Sequence, residues 1–302
     1  MLLGVRSVQQ LYDFKSSFKN RELMSEKITV TFYALGDSLT VGYQSPTPEA
    51  PFIHNRPYTV YLGSLAESLL NALQLNHIEV LFVNAGVNGD TTEGMLSRFS
   101  LDVPQKKPSY VIVWGGINDL YYEIKPEKVM YNLAKLWRKA EEIGAKCIAC
   151  TLAPVEDNPS INELVRQTNL MIVDNCKAND MLCVDIYSAL VDNEGKLAHR
   201  FSNDTLHLTT EGYEAVAQAI FQEAIRKILE NLTLSSNHLT RNVEHLGQSE
   251  TTQAETRRKS NDACKQPLHG QSLKFIQNSI HPDKNSTALN EWIKGTLQKG
   301  MT

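Results

Sequence analysis

The chain has 302 residues, of which 42% are hydrophobic and 21% charged, and its formal net charge is −4. These values are typical of a globular protein with one large domain or two small ones. Because the net charge is slightly negative, no basic field favours binding to nucleic acid or anionic lipid. Small molecules or proteins are therefore the expected partners.

The first 27 residues lack the apolar core of a secretory signal, because charged residues begin at Arg6, directly after the short run 1–5. No stretch approaches the roughly 20 apolar residues of a membrane-spanning helix. We therefore expect a cytoplasmic protein without an integral membrane segment, in which 1–27 is an N-terminal extension. Met24 lies just before the first predicted strand, and we hypothesise that translation could start there.

Short apolar runs alternate with stretches of helical periodicity from residue 28 onward, which is typical of parallel βαβ units. The predicted strands are Ile28–Leu35, Glu79–Asn84, Tyr110–Trp114, Lys146–Leu152 and Leu182–Ile186. The predicted helices lie near 58–75, 92–102, 126–143, 160–179 and 211–231. Since the strands are apolar almost throughout, both faces of the sheet should be covered. We expect a three-layer α/β/α, flavodoxin-like domain over 28–231, with a five-stranded parallel sheet in the order 2-1-3-4-5.

The composition changes after about residue 232. Residues 235–265 are rich in Ser, Thr, Asn, Gln and charge, which indicates a linker or a disordered segment. The end of the chain regains enough apolar residues for one or two short helices. We expect 232–302 to be a low-complexity linker and a short helical tail that contacts the main domain or a protein partner. Its His281-Pro282-Asp283 resembles the loop tripeptide of chaperone J-domains, but the two helices that precede that loop in a J-domain are missing.

The first predicted strand runs into Gly36-Asp37-Ser38-Leu39-Thr40. A glycine here permits a tight turn that places the Ser38 hydroxyl at the carboxyl end of the sheet, where open α/β sheets bind ligands. Serine is a weak nucleophile and needs a base within hydrogen-bond reach. Taken alone, the motif is also compatible with an ordinary turn.

Two further motifs follow the second and third predicted strands. Gly89 lies in the loop 84–90, where a backbone N–H can approach a developing oxyanion closely because no side chain intervenes. Asn118 has a side-chain amide that can donate to the same oxygen. The alternatives are a glycine needed only for a positive φ and an asparagine that satisfies its own turn.

Asp204-Thr205-Leu206-His207 comes last and opens the final predicted helix. His207 is the candidate base, and Asp204 is the carboxylate that would orient it. In the order 2-1-3-4-5, the fifth strand stands roughly 14 Å from the first. The loop 187–203 is long enough to return His207 to Ser38.

Four motifs together, Gly36-Asp37-Ser38-Leu39, the Gly89 loop, Gly116-x-Asn118-Asp119 and Asp204-x-x-His207, resemble the sequence blocks of the SGNH, or GDSL-type, esterase/lipase family. They occur in order within about residues 28–230, and the chain is most similar to the bacterial thioesterase, lysophospholipase and arylesterase branch. The resemblance implies a hydrolase of carboxylic esters or thioesters that needs no cofactor and acts on a small or lipid-like acyl ester. It also implies the site residues: Ser38 as nucleophile, His207 as base, Asp204 as its partner, and an oxyanion hole of the Ser38 and Gly89 N–H groups with the Asn118 side chain.

The loop 44–56, which contains three prolines, is an enlargement beside the nucleophile that would shape the substrate pocket. Its His54 is a rival base, although no carboxylate pattern supports it. Cys147 and Cys150 have CxxC spacing within one predicted strand, but no second pair or histidine lies nearby. We interpret both as buried structural cysteines and expect no metal site there.

Three aspartates lie beside these motifs, and three alternative functions stay open. Asp37, Asp90 and Asp119 neighbour the motifs and would support the loops through hydrogen bonds, with Asp37 beside the nucleophile. A metal-dependent phosphoester hydrolase would instead use these carboxylates to hold Mg²⁺. A second alternative is an interaction protein whose hydrolase domain is catalytically silent. A third keeps the chemistry but passes the acyl group to an alcohol other than water.

Overall fold

The structure is a computed structural model that describes residues 27–232. The predicted N-terminal extension, including Met24, lies outside the described residues except for Lys27. The predicted linker and helical tail, with His281-Pro282-Asp283, also lie outside them except for Leu232.

Five strands form one parallel sheet in the described part of the chain. Numbered along the chain, they are β1 (Ile28–Gly36), β4 (Ile78–Gly86), β5 (Tyr110–Trp114), β6 (Lys146–Cys150) and β7 (Leu182–Val184). Their order in space is β4-β1-β5-β6-β7, which confirms the predicted 2-1-3-4-5 arrangement. A small antiparallel hairpin of β2 (Tyr43–Gln44) and β3 (His54–Asn55) lies in the loop region after β1 and was not predicted.

Apolar side chains on both faces of the sheet are buried, as a doubly covered sheet requires. Val111, Ile112 and Val113 follow one another in β5, and all three are buried. Phe32 of β1 stacks between two aromatic rings of the neighbouring strands, with centroid distances of 5.1 Å to Phe82 and 5.0 Å to Tyr110. Such cross-strand pairs stabilise the sheet where the strands adjoin.

Eight α-helices connect or cover the strands between residues 27 and 232. They are α1 (Ser38–Val41), α2 (Tyr58–Ala72), α3 (Thr92–Asp102), α4 (Ile117–Tyr121), α5 (Pro126–Glu142), α6 (Pro159–Ala178), α7 (Ile186–Leu190) and α8 (Thr210–Ile220). α2 packs with α8, whereas α5 packs with α3 and α6. The five long helices were predicted, and the three short ones were not.

The final helix begins where the sequence predicts, and its backbone hydrogen bonds then change from the α-helical to the π-helical pattern. The side chain of Thr209, one of the two predicted N-caps, accepts a hydrogen bond from the Gly212 N–H at 3.2 Å. A π-helical turn at Phe221–Ile225 follows α8, and the helix continues over 226–232. Val216 and Ile220 are fully buried, so the apolar stripe predicted from the sequence faces the core.

The fifth strand is shorter than predicted, because a helix begins within the same apolar run. β7 ends at Val184, and the Asp185 side chain accepts a hydrogen bond from the Ser188 N–H at 3.1 Å, which caps α7. Ile186 is buried at the start of that helix. A buried residue in a strand and one in a helix look alike in a short run, so periodicity alone cannot find this boundary.

Over the described range 27–232, no helix is both long enough and apolar enough to cross a membrane.

Candidate active site

The end of β1 presents Ser38 at the carboxyl edge of the sheet. A Cβ atom at Gly36 would lie 2.1 Å from Thr40 Oγ1 and 2.3 Å from the carbonyl oxygen of Trp114, so only glycine fits there. The chain then turns directly into α1, whose first residue is Ser38. The backbone N–H of a residue in this position has no partner within its helix and can bind another acceptor.

Ser38, His207 and Asp204 come from distant parts of the chain and lie in hydrogen-bond contact. Ser38 Oγ is 3.1 Å from His207 Nε2, and His207 Nδ1 is 2.7 Å from Asp204 Oδ2. An ionised carboxylate only accepts hydrogen bonds, so Nδ1 carries the proton and Nε2 accepts from the Ser38 hydroxyl. The His207 side chain is 22% exposed, which leaves the array open to solvent at the imidazole.

The Asp204 carboxylate is held on both oxygens. Oδ1 accepts the backbone N–H groups of Leu206 at 3.1 Å and of His207 at 2.7 Å, and Oδ2 also accepts from the Ser45 hydroxyl. Partial burial raises the pKa of Asp204, but the hydrogen bonds from Ser45 and His207 outweigh it and hold this pKa below its usual value. Asp204 is therefore ionised at neutral pH.

The loops that carry Gly89 and Asn118 leave the sheet on either side of β1. Gly36 is in register with Gly86 of β4 and with Trp114 of β5, so the three strands reach the same edge together. Ser38, Gly89 and Asn118 follow these strand ends within a few residues. The topology thus gathers the three predicted oxyanion donors at one edge of the sheet.

Asn118 ties α4 to the Gly89 loop. Its Nδ2 atom donates a hydrogen bond to the carbonyl oxygen of Asp90 at 2.9 Å. An amide nitrogen carries two hydrogens, so the second N–H remains available for another acceptor. Gly89 has a φ of 72°, and open space surrounds the position of a Cβ atom there. Backbone conformation, and not crowding, therefore requires glycine at this position.

The three aspartates near these loops have separate structural roles. Asp37 caps α1 with its side chain, and Asp90 Oδ2 lies 2.8 Å from Arg98 Nε. Asp119 accepts from the N–H and the hydroxyl of Thr92 at 2.9 and 2.6 Å. Within the part of the chain that the structure describes, no group of three or more His, Cys, Asp or Glu residues is arranged to hold a metal ion. These contacts fit the loop-supporting role predicted for the aspartates and leave the magnesium alternative without a ligand cluster there.

Asp37 is fully buried beside the nucleophile. Its Oδ1 atom accepts the Leu39 N–H at 2.9 Å, whereas Oδ2 has no hydrogen-bond partner among the described residues. Burial, with smaller contributions from nearby Asp90 and Asp119, raises the pKa of Asp37 to about 7. This carboxyl therefore holds a proton more readily than an exposed aspartate does.

The predicted loop 44–56 contains most of the β2–β3 hairpin. Two residues in this region that the sequence did not single out, Tyr43 of β2 and Ser45 just after it, contact the site. The Tyr43 ring packs edge-on against the His207 imidazole, with ring centroids 4.5 Å apart, and Ser45 contacts Asp204. His54, the rival base, is exposed in β3, whereas the Ser38 hydroxyl contacts His207. No sequence signal identifies Tyr43 or Ser45, because their partners lie far along the chain.

Cys147 and Cys150 of β6 are both buried free cysteines. Burial raises the pKa of each thiol well above its usual value. A neutral, buried thiol is neither a nucleophile nor a metal ligand, so both side chains behave as small core residues.

Comparisons with known proteins point to one family. Residues 34–215 match the GDSL-like Lipase/Acylhydrolase family. The chain is 30% identical over 124 residues to an arylesterase of Vibrio mimicus, an alignment that covers 41% of this chain and 53% of the arylesterase. It is 23% identical over 214 residues to an acetylxylan esterase of Geobacillus stearothermophilus, which covers 63% of this chain and 91% of that protein. The chain thus spans about half the length of the arylesterase that it matches.

A solved structure of Axe2, an acetylxylan esterase from Geobacillus stearothermophilus, has a related fold. It superposes with a TM-score of 0.53 at 20% sequence identity, covering 65% of this chain and 95% of that one. At this level of identity, the likeness concerns the fold alone. It agrees with the α/β fold described above.

Proposed function

Because the chain belongs to the GDSL-like lipase/acylhydrolase family, we propose that it hydrolyses carboxylic esters through an acyl-enzyme intermediate on Ser38. The observation that carries this proposal is the contact of the Ser38 hydroxyl with His207 Nε2 at 3.1 Å, continued from Nδ1 to Asp204 at 2.7 Å. A serine, an imidazole and a carboxylate in this sequence of contacts supply a nucleophile, a base and the group that orients the base.

In the first half-reaction, His207 Nε2 accepts the hydroxyl proton while Ser38 Oγ attacks the ester carbonyl carbon. The carbonyl π electrons move to oxygen and give a tetrahedral oxyanion. When this intermediate collapses, the bond to the leaving alkoxide breaks, and His207 returns its proton to that oxygen. The products of this step are an alcohol and an acyl group on Ser38.

In the second half-reaction, water replaces the alcohol. His207 accepts a proton from the water molecule as its oxygen attacks the acyl carbonyl, and a second tetrahedral oxyanion forms. Collapse breaks the bond to Ser38 Oγ, which takes the proton from His207. Asp204 stays ionised throughout and stabilises the imidazolium that forms in each half-reaction.

The oxyanion would accept hydrogen bonds from the backbone N–H groups of Ser38 and Gly89 and from the second Nδ2 hydrogen of Asn118. Two observations support this assignment: Ser38 is the first residue of α1, and Asn118 already uses one amide hydrogen on Asp90. Each donor contributes about 3 kcal/mol to lowering the barrier in comparable hydrolases.

The substrate we propose is an ester with a small acyl group. Two relatives carry the names arylesterase and acetylxylan esterase, which indicates acetyl or similarly short acyl chains on an aryl or sugar oxygen. A series of p-nitrophenyl esters from acetate to palmitate, with an acyl thioester beside it, measures this preference. A maximum of kcat/KM at the short end is the expected result, and a maximum at palmitate would replace this proposal with a lipase.

The proposed reaction is tested by Ser38→Ala. This variant should keep the fold, because the side chain loses only an oxygen, and should lose hydrolysis of p-nitrophenyl acetate. Thermal unfolding of both proteins provides the control for folding. Hydrolysis at the wild-type rate by folded Ser38→Ala would reject the assignment of the nucleophile.

A further inference from the structure

The hairpin of β2 and β3 brings a fourth side chain to the contacts among Ser38, His207 and Asp204. Ser45 directly follows β2, and its hydroxyl donates to Asp204 Oδ2, the oxygen that also accepts from His207 Nδ1. A carboxylate only accepts, so the Ser45 hydroxyl is necessarily the donor in this contact. Asp204 Oδ1 is already occupied by two backbone N–H groups of its own turn.

The position of Ser45 is set by the helix that begins just after His207. Tyr213 of α8 is fully buried, and its hydroxyl donates to the carbonyl oxygen of Tyr43 at 2.7 Å. The Gln44 side-chain amide lies 3.3 Å from the Thr210 hydroxyl, also in α8. Both contacts fasten the strand that precedes Ser45. The hairpin is thus fastened to the helix that begins three residues after His207.

We propose that Ser45 is a positioning residue, which holds the Asp204 carboxylate in the orientation that accepts from His207 Nδ1. This inference rests on the proposed ester hydrolysis. Hydrogen bonds to charged groups are worth more than neutral ones, and groups that fix a catalytic side chain act through its geometry. Ser45 therefore affects the reaction by way of Asp204 and His207, without contacting the reacting atoms.

Two effects follow if the hydroxyl is lost. The carboxylate keeps its own turn bonds but loses one anchor on Oδ2, so kcat should fall about tenfold while KM changes little. The carboxylate also loses a donor that stabilises its ionised form. Its charge is then less neutralised and attracts the protonated base more strongly, so the acid limb of the pH profile of kcat/KM should move to higher pH.

The test compares Ser45→Val with Ser45→Thr in the full-length chain. These two side chains have nearly the same shape, and only threonine keeps the hydroxyl. Ser45→Thr should retain at least half of the wild-type kcat, and Ser45→Val should show both the lower kcat and the shifted acid limb. Ser45→Ala gives the same comparison without added bulk. Thr47→Val is the control for the hairpin, because the Thr47 hydroxyl accepts a bond from the Ala50 N–H within the same turn, and it should leave kcat unchanged.

Wild-type kcat and an unshifted acid limb in Ser45→Val would overturn the inference. An equal loss in Ser45→Thr and Ser45→Val, or the same loss in Thr47→Val, would also overturn it, because packing and not the hydroxyl would then be responsible. Labelling of Ser38 by a fluorophosphonate separates this failure from failure of the proposed function. If wild-type Ser38 is labelled and the protein hydrolyses p-nitrophenyl acetate, the proposed function stands whatever the Ser45 variants do; if Ser38 is not labelled and no ester is hydrolysed, both proposals fail.

Discussion

Asp37 combines complete burial with a carboxyl oxygen that has no partner among the described residues. Its pKa is raised to about 7 in the folded protein, compared with about 3.9 in an unfolded chain. The folded state therefore binds this proton more tightly than the unfolded state. The stability that the proton confers is fully present below about pH 4 and is lost as the pH rises through about 7.

Asp37→Asn removes this titration while keeping an acceptor for the Leu39 N–H. We expect the free energy of unfolding of the wild type to fall, relative to the variant, by up to about 1.4 kcal/mol per pH unit between about pH 4 and 7. Urea unfolding of both proteins across this range measures the difference. Parallel pH dependences would mean that Asp37 titrates as an ordinary exposed aspartate.

Asn118 offers a test of the oxyanion donors at the same scale. Asn118→Ala should lower kcat by about 10²–10³ with little change in KM, because the donor acts on charge that develops in the transition state. Asn118→Asp has nearly the same shape but replaces the amide donor with an acceptor, so its loss should be at least as large. A change confined to KM in either variant would contradict the oxyanion role.

His54 and His207 can be compared directly as candidate bases. His54→Gln should retain wild-type activity, because His54 is exposed on the hairpin, while His207 Nε2 contacts Ser38 Oγ. His207→Gln should lose nearly all activity. Initial rates with p-nitrophenyl acetate distinguish the two. A large loss in His54→Gln alone would identify His54, and not His207, as the base.

At the scale of elements, the sequence predicts the strands and helices whose ends are set by neighbouring residues. The strand Tyr110–Trp114 was predicted with both of its ends, because Pro108 and Ser109 precede the apolar run and Gly115 ends it. The hairpin was not predicted, since its strands have two residues each. Its role was equally hidden, because Ser45 and its partner Asp204 are separated by 159 positions. A local pattern carries no information about such a contact.

The turn between Asp204 and His207 shows the same limit. Thr205 adopts a φ of 74°, a left-handed conformation that β-branched residues rarely adopt. The backbone N–H groups that reach Asp204 Oδ1 come from this turn. The pair of acid and base was predicted from its spacing, but the strained backbone that holds it was not.

Two glycines differ in whether a side chain would fit at their positions. Gly36→Ala should destabilise the protein by several kcal/mol, about 3 or more, because the new Cβ meets Thr40 Oγ1 at 2.1 Å and the Trp114 carbonyl at 2.3 Å. Gly63→Ala is the matched control: Gly63 lies within α2, and nothing lies within 4 Å of its Cβ position. It should stabilise the protein by up to about 1 kcal/mol.

Denaturant midpoints of the two alanine variants, measured beside the wild type, check this pair. Similar midpoints for Gly36→Ala and the wild type would show that the turn after β1 tolerates a side chain. The steric account of the Gly-Asp-Ser motif would then be incorrect.

At the scale of the whole molecule, the family match 34–215 lies within the described range 27–232. The buried core runs from Val30 to Leu229 and includes residues of the sheet and of the helices that cover it. We propose that this range is a domain with its own core; the bounds 28–231 stay a prediction. The roles of 1–27 and of the tail as linker and partner contact remain predictions.

A protein containing only residues 27–232 tests the domain assignment. It should fold cooperatively and retain the esterase kcat/KM of the full chain within about threefold, because a domain with its own core folds without its flanking segments. Circular dichroism melting and turnover of p-nitrophenyl acetate measure both properties. An unfolded or inactive product would place part of the functional unit outside this range.

We propose that contact with His207 makes Ser38 a nucleophile. Its most direct test is reaction of the full-length protein with a fluorophosphonate, followed by mass spectrometry of the peptide that carries the adduct. We expect one adduct on Ser38 in the wild type and a much slower reaction in His207→Ala. An adduct on a different residue, or undiminished ester hydrolysis by protein that never reacts at Ser38, would rule out this role of Ser38.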